Sequence, residues 1–115
     1  MPPEITAHAR SRGTDVIETT DLADAAAHSD VLYVTRVQKE RFADEAAYLR
    51  VKNVYVVDPG TVKTAKPGVT IMHPLPRVDE ITKEVDAYDG AAYFRQAANG
   101  VWVRMALLAL VLGKA

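Results

Sequence analysis

The chain has 115 residues, a formal net charge of −1, 49% hydrophobic and 25% charged residues, and no cysteine. That length suits one domain with a genuine core. The near-neutral balance gives no electrostatic footprint for nucleic acid or anionic lipid, and the missing cysteines exclude disulfides, thiolate metal sites and cysteine nucleophiles.

Elements follow in chain order. Pro2 and Pro3 suit a helix start and Gly13 its left-handed end, which predicts a short helix over 4–11. Thr14 to Thr19 reads as a short strand. Asp21 resembles an N-cap with an acidic first turn behind it, opening a helix to about His28. Val31 to Thr35 is apolar and β-branched without alternation, as expected of a central strand covered on both faces.

Lys39 to Arg50 is helix-like but highly charged, and reads as a loop and a surface helix. Val54 to Val57 is another short apolar run, closed by Asp58-Pro59-Gly60, and Thr61 to Ala65 suits a helical turn. Val69 to Met72 predicts a further strand, stopped by His73-Pro74-Leu75-Pro76 because proline cannot extend a sheet interior. A final helix is predicted over about 94–112, with Gly100 costing about 1 kcal/mol inside it. From Val101 to Leu112 every residue except Arg104 is apolar. A helix apolar all round needs burial on nearly all sides, so it asks for a partner surface that one small domain does not supply. Strands alternating with helices give the expected fold class: α/β, a three-layer open parallel sheet with helices on both faces.

The 12-residue run from Val101 to Leu112 is too short for a membrane span, which takes about 20 apolar residues. Met1-Pro2-Pro3-Glu4 lacks the basic and apolar regions of a signal peptide. A cytoplasmic protein is expected.

Two segments that each follow a predicted strand carry the candidate chemistry. They are Thr35 to Arg41 and His73 to Glu80, and ligands in open parallel sheets bind at such strand ends. Arg36 offers a planar, permanently charged fork that fits a carboxylate, and Gln38 adds an amide on the same side of an extended chain. Glu40, four residues after Arg36, is placed to hold the guanidinium. The same residues also read as an exposed ion-pair face worth little. His73 reads as a structural histidine between strand and proline turn, because no nucleophile or carboxylate partner sits at a telling spacing. His8 and His28 look incidental. Arg104 either snorkels to the surface or reaches an anion across a domain boundary. No metal-ligand or nucleotide-binding pattern is present, so no metal or cofactor is expected.

These residues resemble a known family. Asp30 to Phe42 (DVLYVTRVQKERF) is similar to a signature of the aspartate domain of aspartate carbamoyltransferases. His73 to Ile81 (HPLPRVDEI), followed by Glu84-Val85-Asp86, resembles a second. Tyr93-Phe94-Arg95-Gln96-Ala97, Gly100 and Arg104 to Ala109 resemble the closing helix. The motifs stand in family order from near Met1 to Ala115.

The resemblance implies a role for each. Arg36 and Gln38 would grip the carboxylates of L-aspartate. Pro74 and Leu75 would offer backbone carbonyls near the substrate amino group and the carbamoyl nitrogen, with Leu75–Pro76 cis. Glu40 would orient the arginine, Lys39 to about Leu49 would form a closing loop, and Arg104 would lie at a domain interface. The implied reaction joins carbamoyl phosphate and L-aspartate in pyrimidine (UMP) synthesis without metal or cofactor.

The family's phosphate-binding Ser-Thr-Arg-Thr loop and His-Pro-x-Gln segment are absent. Residues 1–115 are therefore expected to be the C-terminal part of an aspartate-binding domain, inactive alone. Its last helix would pack on an N-terminal carbamoyl-phosphate domain, and the complete chains would form a homotrimer. Two alternatives stand beside this: a non-catalytic binding or assembly module of the same fold, and an ornithine carbamoyltransferase. That second family carries a cysteine where this chain has Pro74.

Overall fold

The structure is a computed structural model that describes residues 1–38, 41–52 and 54–114. Helix α1 spans Pro3–Ser11, with proline in its first turn. Beyond its end Gly13 takes φ +81°, and the N–H groups of Gly13 and Thr14 return to the Arg10 and Ala9 carbonyls. Helix α2 (Leu22–His28) is capped by Asp21, whose side chain accepts the Asp24 N–H at 3.0 Å. Asp44 and Asp58 cap α3 (Glu45–Val51) and α4 (Pro59–Thr64) in the same way.

The predicted strand at Thr14–Thr19 does not form; the segment is irregular and Ile17 is exposed. A strand requires a partner edge, and this segment finds none among the described residues. Arg10 takes up the Val16 carbonyl instead.

Strand β1 (Val31–Tyr33) pairs in parallel with β2 (Thr70–Met72), Val31 against Thr70 and Tyr33 against Met72. Odd and even positions of β2 face different neighbours. Thr70 N–H and the Met72 carbonyl bond to the β1 side, whereas Ile71 bonds Gly90 and Ala92 through a single parallel bridge at Ala91. A second isolated bridge joins Val57 to Ile81. The parallel α/β arrangement is therefore present, with β2 central. The expectation that β1 is covered on both faces is corrected. Only Leu32 packs on the core, while Val31 and Tyr33 stay exposed on the other face.

The core is Ala26, Val57, Ala65, Val69, Ile71, Ile81, Val85 and Tyr93. Fully burying one aliphatic side chain such as Ile71 stabilises by about 1.5–3 kcal/mol. A five-residue 3-10 helix (Lys83–Ala87) brings Val85 into that core. It leads to α5 (Tyr93–Val111), which contains Gly100. A Cβ at Gly100 would lie 2.7 Å from the Arg104 guanidinium, so the small residue makes room for that side chain.

Only the start of α5 is buried. Trp102 is 69% exposed and Leu108, Leu110 and Val111 are exposed with it, so the apolar half of the helix finds little cover among the described residues. Among the described residues no helix is long and apolar enough to cross a membrane.

Candidate functional site: a cleft at the strand ends

Because β1 and β2 run parallel and in register, the residues that follow them emerge at the same edge of the sheet. Thr35 to Gln38 on one side and His73 to Pro76 on the other line an open cleft of about 510 Å³, with Arg41 and Phe42 joining them. That size suits a small molecule. Four of the residues expected from sequence, Arg36, Gln38, Pro74 and Leu75, thus meet at one place. Glu40 lies outside the described residues. Arg104 is exposed on α5 and does not line the cleft.

The second loop is held from behind by a buried polar network. The His73 imidazole is only 1% exposed, and its Nε2 lies 2.6 Å from Glu80 Oε1. Its Nδ1 accepts the Leu75 N–H at 2.8 Å. An N–H aimed at Nδ1 leaves the ring proton on Nε2, facing the carboxylate. Glu80 Oε2 also accepts the N–H groups of Val78 at 3.2 Å and Asp79 at 3.1 Å. Above the ring, the His73 N–H bonds Gln96 Oε1 at 3.0 Å, and Gln96 in turn donates to the Tyr33 hydroxyl. His73 therefore has the carboxylate partner that spacing did not reveal, and its place is structural, as expected.

The backbone these groups hold is unusual. Leu75–Pro76 is cis, and Leu75 has φ +51°. A non-glycine residue in that left-handed region costs on the order of 1–2 kcal/mol, which the surrounding bonds must offset. The far end of the loop is fixed by Arg77. Its guanidinium takes Asp86 in a forked pair and sits 5.4 Å from the Tyr93 ring centroid. Asp86's hydrogen bond to Arg77 holds the carboxyl below its ordinary range, and the same bond raises the guanidinium. Burial, then the bond to Asp86, pushes the Tyr93 phenol up to about 12.

Chemically the cleft presents cationic forks from Arg36 and Arg41 beside amide and backbone groups, while the Glu80 carboxylate behind the loop is committed to His73 and to loop N–H groups. Such a surface attracts a small anion and orders it through planar contacts. Sequence reasoning missed Glu80 and Gln96 as supports, and Arg41 and Phe42 as wall residues. Glu80 had a faint signal, since it stands seven residues after His73 across a proline turn that folds the chain back.

The aspartate/ornithine carbamoyltransferase family, Asp/Orn binding domain, matches residues 2–111. The aspartate carbamoyltransferase catalytic subunit of Thermococcus gammatolerans is 56% identical over 113 residues, 98% of this chain and 37% of that protein. Among solved structures, the catalytic subunit of M. jannaschii aspartate transcarbamoylase superposes with a TM-score of 0.85 at 40% identity, over 100% of this chain and 38% of that one. The Trypanosoma cruzi aspartate transcarbamoylase in complex with carbamoyl phosphate and aspartate does so at 0.81 and 39%, covering 94% and 36%.

The fold and the match define an α/β domain of the carbamoyltransferase class. The chain belongs to the aspartate/ornithine carbamoyltransferase family, in its Asp/Orn binding domain. It spans a little over a third of the length of these relatives.

Proposed function

We propose that the chain is the aspartate-binding part of an aspartate carbamoyltransferase, supplying half of an active site that transfers the carbamoyl group of carbamoyl phosphate to L-aspartate for pyrimidine synthesis. The observation that carries this reading is the convergence of Arg36, Gln38, Pro74 and Leu75 on one cleft. Relatives that carry the aspartate carbamoyltransferase name support the choice of aspartate over ornithine.

In this reading Arg36 and Gln38 hold the carboxylates. The carbonyls of Pro74 and Leu75 receive the amino group and the carbamoyl nitrogen, and Glu40 steadies Arg36. Positioning and charge complementarity do the catalytic work, with no metal or organic cofactor.

The exposed apolar half of α5 is the face we assign to a carbamoyl-phosphate domain, with Arg104 at that boundary. The three-layer sheet, the homotrimer and a cytoplasmic setting belong to the complete enzyme. A non-catalytic module is the competing reading, favoured for the isolated chain by the absence of the Ser-Thr-Arg-Thr phosphate loop.

The test is carbamoyl-aspartate formation by the 115-residue chain alone, then with an N-terminal carbamoyl-phosphate portion added. Turnover is expected only in the mixture, with aspartate and not ornithine. A mixture that assembles but stays inactive with aspartate would overturn the enzymatic reading.

A further inference from the structure

From the hydrogen bonds around the buried ring we infer that His73 is a positioning residue for aspartate, acting through its Nδ1 on the Leu75 backbone. The inference rests on the proposed aspartate carbamoyltransferase reading and extends it to a buried ring behind the cleft wall.

Four observations carry it. The ring is buried, with its nitrogens turned to protein partners. Its two nitrogens have separate tasks: Nε2 is tied to Glu80 at 2.6 Å and Nδ1 accepts the Leu75 N–H at 2.8 Å. Leu75 sits at φ +51°, a conformation that local preference does not favour, so the hydrogen bond selects it. Leu75 and Pro74 then form one wall of the cleft that faces Arg36. Rotating the Leu75 peptide away would turn its flanking carbonyls, and small errors in such groups degrade binding. Glu80 contributes from the other side. By accepting Nε2–H it fixes the tautomer that keeps Nδ1 an acceptor.

Two variants separate the nitrogens, because an asparagine amide oxygen reaches roughly where Nδ1 lies and a glutamine amide nitrogen roughly where Nε2 lies. In the complete enzyme, His73→Gln keeps the link to Glu80 and loses the acceptor for Leu75. Its KM for aspartate is expected to rise roughly tenfold or more, with KM for carbamoyl phosphate unchanged. His73→Asn keeps the acceptor and is expected to hold an aspartate KM within about threefold of the parent. Equal aspartate KM values in the two variants, or parallel changes for both substrates, would overturn the inference.

If His73→Gln does not fold, the nitrogen-15 signature of the parent ring decides. A protonated Nε2 with a bare Nδ1 at neutral pH supports the assignment, and a protonated Nδ1 contradicts it. Failure of the functional reading itself looks different: the parent enzyme would then make no carbamoyl aspartate at all.

Discussion

Arg77 and Asp86, nine residues apart, form a forked ion pair: Asp86 Oδ2 accepts from Arg77 Nη2 at 2.7 Å while Oδ1 takes the second arm. The pair stands one residue beyond the cis Leu75–Pro76 bond and fastens the cleft loop to the 3-10 helix and to Tyr93.

Asp86 sets an acid limit on this fastening. Its hydrogen bond to Arg77 places the folded pKa below the ordinary 3.8, so the stabilisation is present above that value and is lost as pH falls through the folded one. Asp86→Asn should lower the melting temperature at neutral pH and flatten its decline in acid, so that the two curves converge. Melting curves recorded from neutral pH downward check this; curves that stay parallel count against it.

Tyr93 sets an alkaline one. Burial and the nearby carboxylate raise its phenol from 10.0 to about 12, so the unfolded chain releases that proton first as pH rises. Stability should therefore fall between pH 10.0 and about 12. Tyr93→Phe should abolish that part of the decline and remove the late phenol from an ultraviolet titration.

Arg36 carries the proposed recognition of substrate. Losing a charge-assisted bond to a carboxylate costs about 1.5–3 kcal/mol, or roughly ten- to 150-fold in affinity. Arg36→Ala in the complete enzyme should raise KM for aspartate on that scale and leave carbamoyl phosphate unaffected. Arg36→Lys should recover only part, since the ammonium lacks the planar fork. Steady-state kinetics with each substrate varied in turn decide the matter.

The core prediction concerns β2. Ile71 is fully buried, with its N–H and carbonyl bonded to Gly90 and Ala92, so Ile71→Ala should cost about 2–5 kcal/mol. Ile17→Ala, at an 86% exposed position, should stay within about 0.5 kcal/mol. Urea unfolding compares them.

Much of this was legible in the chain because local chemistry decides it. Asp21 and the Pro2-Pro3 pair mark helix starts by what they do to unpaired N–H groups, and those helices form as expected. The apolar runs at Val31 and Val69 became the paired strands because each had a buried neighbour to match. Thr14–Thr19 failed for the complementary reason: its pattern suits a strand, but pairing is a tertiary event that no local pattern guarantees. The cleft was legible in its two walls, since strand ends dictate them. Its support was not: Glu80 and Gln96 reach His73 from positions 7 and 23 residues away, set by the loop's path and the docking of α5.

The central claim is that the Arg36 loop and the Leu75 loop grip one dicarboxylate between them. A crystal structure of the complete enzyme with N-(phosphonacetyl)-L-aspartate, the ligand seen in one Trypanosoma cruzi relative, addresses it directly. The account predicts carboxylate oxygens within hydrogen-bond reach of the Arg36 guanidinium and the Gln38 amide, with the Leu75 carbonyl turned toward the ligand's amide nitrogen. A ligand held elsewhere, with Arg36 making no contact to it, would contradict the account.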